Sequence, residues 1–155
     1  MRIRVRLLTT ASASATATVV AVATALPLTG CSSTPAEALE DWWSSGGDSS
    51  VKALSDTSGR VNGVSMRPMD DWTPACQELL SQVAKAKKLD TIPSENARGF
   101  WTESLTLFEH GGNECVAGAG EKDQPRASAG IREVQKGVGR LASAVSLIRG
   151  DLESK

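Results

Sequence analysis

Apolar residues recur at helical spacing through most of the chain, and one run does so without a break. Ala127, Ile131, Val134, Val138, Leu141, Val145, Ile148 and Leu152 alternate steps of four and three, the signature of a helix with one apolar stripe. Asp123 is placed to cap it and Pro125 to sit in its first turn. The flanks of the stripe are small or uncharged: Gly130, Gly137 and Ala144 on one side, Gln135 and Ala142 on the other. A free-standing coiled coil would carry charges there. Small flanks instead let neighbouring helices close in on both sides, as the interior of a bundle requires.

Four more helices are predicted upstream. Thr34-Pro35-Ala36-Glu37 is a capping box with proline at the first helical position. The helix it opens carries Leu39, Trp42 and Trp43 and should stop at Gly46-Gly47. Leu39 and Trp43, four apart, are expected to bury one face, while Trp42 is left to either the core or a membrane interface. Asp48 is placed to cap a second helix through Val51, Leu54, Val61 and Val64, with a loop from Ser65 to Asp70. Asp70, Asp71 and Thr73 compete to cap a third, which carries Cys76, Leu79, Leu80, Val83 and Ala86. Ser94 opens a fourth, whose seam is Trp101, Leu105, Phe108, Gly112, Cys115 and Ala119. Gly111-Gly112 would ordinarily end a helix, at about 1 kcal/mol each relative to Ala. The seam resumes at Cys115, so the prediction is a continuous helix whose glycines permit close approach.

The first thirty residues belong to a different pattern. Arg2, Arg4 and Arg6 precede a stretch without charge from Leu7 to Leu28, as in a secretory signal. No two arginines are adjacent, which favours the general secretory route. The stretch ends in Leu28-Thr29-Gly30-Cys31, where small residues lead up to a thiol. These four residues resemble the lipobox of bacterial lipoproteins at every position. The resemblance implies cleavage between Gly30 and Cys31, a diacylglyceryl group on the Cys31 sulfur and an acyl group on the new amine. Two or more chains give stable anchoring where one is marginal. The alternative, an uncleaved transmembrane helix, has the necessary length but is rich in Ala, Thr and Ser and contains Pro27.

Charge and cysteine content sharpen this. Without Arg2, Arg4 and Arg6 the 17 basic residues become 14 against 18 acidic ones, so the mature part is near −4. That balance disfavours nucleic acid and anionic headgroups as partners. With Cys31 committed to lipid, Cys76 and Cys115 remain as a pair for an oxidising compartment, two separate buried thiols being the alternative. Residues 1–30 are thus expected to be a cleaved signal peptide, 31–34 a lipidated tether and 35–155 one helical-bundle domain. The predicted fold class is all-α: an antiparallel four-helix bundle with a short extra N-terminal helix, and one disulfide between the chain segments of the third and fourth helices.

Candidate chemistry is sparse. His110 is the one histidine, so no His/Cys zinc site assembles once the cysteines are paired. It lies beside Gly111 with no nucleophile at readable spacing, which suits an exposed helix position better than a general base. No serine sits in a Gly-x-Ser-x-Gly elbow. Gly118 to Asp123 is similar to a phosphate loop but lacks its spacing and the hydroxyl after lysine. Tyrosine is absent and aromatics are few, against base or sugar stacking as a main activity. No cofactor is expected.

Trp42-Trp43 before Gly46-Gly47, the cysteine pair, and Trp101 ahead of Cys115-Val116-Ala117-Gly118 resemble small lipoproteins of high-GC Gram-positive bacteria. That resemblance implies a secreted helical bundle and supplies no activity. The expectation is therefore a lipoprotein on the extracytoplasmic face of the bacterial membrane. It would be a non-enzymatic module whose partners are the membrane, through lipidated Cys31, and an unidentified envelope or surface protein. A small-ligand or lipid carrier, with an apolar pocket near Trp101 and Phe108, is the second expectation.

Overall fold

The computed structural model describes residues 34–154; the expected signal peptide, Cys31 and most of the tether lie outside them. The described residues are helical, with no strand among them: α1 (Pro35–Trp42), a π turn (Trp43–Gly47), α2 (Asp48–Val64), a 3-10 turn (Met69–Asp71), α3 (Trp72–Ala86), α4 (Glu95–Glu121) and α5 (Gln124–Glu153). Three of the expected caps form. The Thr34 hydroxyl accepts from the Glu37 amide while Glu37 reaches back to the Thr34 amide at 2.7 Å. Ser94 and Asp123 cap α4 and α5 through the Ala97 and Arg126 amides. Each satisfies a donor that a helix N-terminus leaves unpaired.

The longest elements make the tightest contact. α4 runs unbroken through Gly111-Gly112, as its seam predicts. Its partners on α5 climb as it descends: Gly118 lies against Ala127, Gly111 against Gly130 and Val134, and Phe108 against Gly137. Beyond these, Glu103 pairs with Arg140 at 3.0 Å, and the Ser94 hydroxyl donates to Asp151 at 2.5 Å. A Cβ built on Gly130 would stand 2.5 Å from the Cys115 nitrogen and the Gly111 oxygen. Only glycine lets the two backbones come this close. Lys122, at φ +59°, ends α4 in the left-handed conformation, and Asp123 N–H donates to the Gly118 carbonyl in a helix-closing bond of 2.8 Å.

α3 joins this pair through the Cys76–Cys115 disulfide, whose Cα atoms are 6.2 Å apart. Leu80 packs over Gly112, and Lys87 meets Glu109. α2 lies on α3, where Arg60 grips the Glu78 carboxylate with two nitrogens, at 2.6 and 3.1 Å. The shared core contains Leu54, Val61, Leu79, Val83, Phe108, Val134 and Ile148, all essentially without exposure. Closing a loop of 39 residues through the disulfide stabilises the fold by roughly 4 kcal/mol in the chain-entropy account.

Four expectations need correction. The first helical run breaks at Gly46, which leaves helical geometry at φ 151°, as expected, but Asp48 does not cap the next helix: its N–H donates to the Trp43 carbonyl and it is already the first residue of α2. Trp42, not Trp43, goes to the core: it is 5% exposed, whereas Trp43 is half-buried at the margin. Gly47 is the reason, since the six-membered ring of Trp42 occupies the place of its missing side chain. No side chain caps α3; Asp71 stands at the cap position after the 3-10 turn without making the bond. Finally, neighbours close on only one flank of α5. Gly130, Gly137 and Ala144 are buried, but Gln135 and Ala142 face solvent.

Candidate functional site

The open flank of α5 borders a groove. α2 contributes one wall through Val51, Ser55, Gly59 and Asn62, and α5 the other through Leu141, Ala142, Ser146, Arg149 and Gly150; the space between them is about 860 Å³. The positions recur every three to four residues on both helices, so each wall is a single helical face. Val51 and Leu141 give it an apolar floor, Ser55 and Ser146 offer hydroxyls, and Lys52, Asp56, Arg149 and Glu153 set charges of both signs along it. The Asn62 side-chain oxygen is buried without a hydrogen-bond partner among the described residues. Such an arrangement offers apolar contact and hydrogen bonding along a line of several helical turns, the chemistry of a binding surface.

Two open glycines line the groove, and open glycines also stand outside it at Gly99, Gly120 and Gly139. Gly59 and Gly150 stand inside helices with nothing within 4 Å of a Cβ built on either. Neither has a positive φ, and neither permits a close approach within the chain. In the sequence, the Gln135 and Ala142 flank carries the same small or uncharged residues as the packed one, so size alone does not tell the two apart. The signal available in the sequence is Gly59 and Gly150 lying off the apolar stripes.

A second depression, about 320 Å³, lies beside Trp101, between Ala86, Leu89 and Ile92 and the Arg98 and Thr102 side of α4. Phe108 takes no part in it, being fully buried with its ring against Gly137. The expected pocket near Trp101 and Phe108 is therefore present only at Trp101, as a surface feature.

His110 is exposed on α4. Its carboxylate neighbours are already held by cations. Arg126 bonds Glu114 at 2.8 Å and Glu121 at 2.9 Å, and Lys136 bonds Glu133 at 2.6 Å. The hydrogen bond from Arg126 is the main cause that keeps the Glu114 carboxyl below the usual range, with the His110 charge a weaker contributor. Lys136 does the same for Glu133, and Glu114 and Glu121 together hold Arg126 firmly protonated. Of the sequence-predicted site residues, Cys76 and Cys115 are joined in the core and His110 stands on the surface, while Cys31 lies outside the described residues. Among the described residues no group of three His, Cys, Asp or Glu side chains is arranged to hold a metal, and no helix is long and apolar enough to cross a membrane.

Compared with known protein families, curated proteins and solved structures, the chain matches none.

Proposed function

We propose that this protein is a lipid-anchored module on the extracytoplasmic face of a bacterial membrane, an antiparallel four-helix bundle of α2–α5 with α1 laid on it. On this reading it binds another protein or envelope component and catalyses nothing. The observation that carries it is Leu28-Thr29-Gly30-Cys31, a lipidation signal that ends three residues before the capping box of α1. Only Ser32 and Ser33 lie between Cys31 and Thr34, the cap of α1, so on this reading the tether is very short. The buried Cys76–Cys115 pair supports an oxidising location. The α2–α5 groove supports a binding role.

Crosslinking in intact cells with reagents of several lengths, followed by recovery of the protein, tests the binding role. A defined partner, captured by wild type and lost with the soluble Cys31→Ala variant, is expected. No reproducible partner with any reagent contradicts it. The second reading, a small-ligand or lipid carrier, draws on the depression beside Trp101, whose volume is at the low end for ligand sites.

A further inference from the structure

α1 docks by burying two side chains. Of its eight residues only Leu39 and Trp42 are buried. Trp42 does most of the holding. Its indole N–H donates to the Asp90 carbonyl at 2.8 Å, and its rings meet those of Trp101 edge-on with centroids 5.7 Å apart. The first turn sits less closely, leaving a depression of about 450 Å³ between Pro35 and Ala36 and the opposing Pro93, Ser94 and Asp151. A helix this short has no stability of its own in water, so α1 is helical because Trp42 and Leu39 are docked.

The root of α1 is built to turn. Within the π turn, Gly46 has φ +151° and ψ −11°, a conformation that side-chain-bearing residues rarely adopt. A Cβ there would also stand 3.1 Å from Leu89. No disulfide among the described residues ties α1 down; the bond that exists joins α3 to α4.

We propose that α1 is a releasable strap, which undocks as a unit about Gly46, with Trp42 leaving Asp90 and Trp101, while α2–α5 stay folded. Its consequence rests on the lipid-anchor reading. Docked, the strap keeps the bundle within a chain reach of roughly 10 Å from Cys31. Released, the residues from Thr34 to Gly46 become tether and add roughly 40 Å. The domain then has two heights above its membrane. Release also uncovers the edge of Trp101 beside its surface depression, so a partner that fills the slot left by Trp42 shifts the population to the extended state.

Native-state hydrogen exchange on the full chain, purified from its membrane, tests the strap. Amides from Leu39 to Trp43 should exchange by a local opening with little denaturant dependence, roughly tenfold or more faster than the slowest amides of α4 and α5. Trp42→Ala should raise α1 exchange by roughly another tenfold, and Trp42→Phe, which keeps a ring but loses the N–H, by less. Wild-type α1 amides that exchange only together with α4 and α5, at every denaturant concentration, overturn the proposal whatever the variants do. The readout does not depend on lipid. Fast α1 exchange in a protein without acyl groups would refute the anchor and keep the strap; acylated protein with co-exchanging helices would refute the strap alone.

Discussion

The two flanks of α5 use the same residue to opposite ends. On the α4 side, Gly130 and Gly137 meet Gly111 and the Phe108 ring so closely that a Cβ on any of the three glycines would stand within 3 Å of a neighbour. On the α2 side, Gly150 and its counterpart Gly59 look into empty space. A glycine inside a helix costs about 1 kcal/mol relative to alanine. In the seam that cost is offset by backbone approach and by an uninterrupted core. In the groove nothing within the chain offsets it. One flank of α5 is therefore finished by the fold itself, and the other is left as surface.

Removing the disulfide should loosen the finished side most. A Cys76→Ala/Cys115→Ala double variant is expected to lose roughly 4 kcal/mol of unfolding free energy in urea, a loss that reduction of the wild type should reproduce. An unchanged midpoint would mean that the α3–α4 contact does not need its cross-link. Next comes the seam. Gly111→Ala or Gly130→Ala forces two backbones apart and should cost about 3 kcal/mol, the upper end for overpacking. In the same host Gly59→Ala and Gly150→Ala should each stabilise by roughly 0.5–1 kcal/mol, through helix propensity alone. Equal and like-signed effects at the four positions would erase the distinction between the flanks. The smallest effect is electrostatic. The folded carboxyl of Glu114 is held below its usual range by Arg126, so its contribution is complete above the ordinary glutamate pKa and is lost as pH falls through the lowered folded value. Thermal melts should therefore show less acid-side loss for Glu114→Gln than for wild type below about pH 4.5. Because about a third of each side chain is open to solvent, the difference should be small and should shrink further in salt.

What could be read in advance follows from where the information sits. The α5 stripe, the three caps and the continuity of α4 through Gly111-Gly112 are local patterns, and the fold keeps them. The exchange of Trp42 for Trp43 was not legible, because positions three and four after Leu39 share its face. The choice fell to Gly47, whose missing side chain admits the larger ring. Trp72, 2% exposed at the start of α3, was available to sequence reasoning. It lies four residues before Cys76 and extends that stripe by one step. The groove was hidden for a different reason. Ala142 and Gly150 are small whether or not a neighbour arrives, so composition says that a helix could approach and not that one does. The proposed anchor is the reverse case: that proposal rests wholly on Leu28 to Cys31 and is independent of how the bundle packs.

That anchor is most directly tested by the intact mass and N-terminal peptide of the protein recovered from its own membrane. A polypeptide that begins at Cys31, carries a diacylglyceryl group on that sulfur and an acyl group on its amine, and retains the Cys76–Cys115 bridge is the predicted result. A chain that still carries residues 1–30, or a Cys31 sulfur bonded to Cys76 or Cys115, would contradict the account.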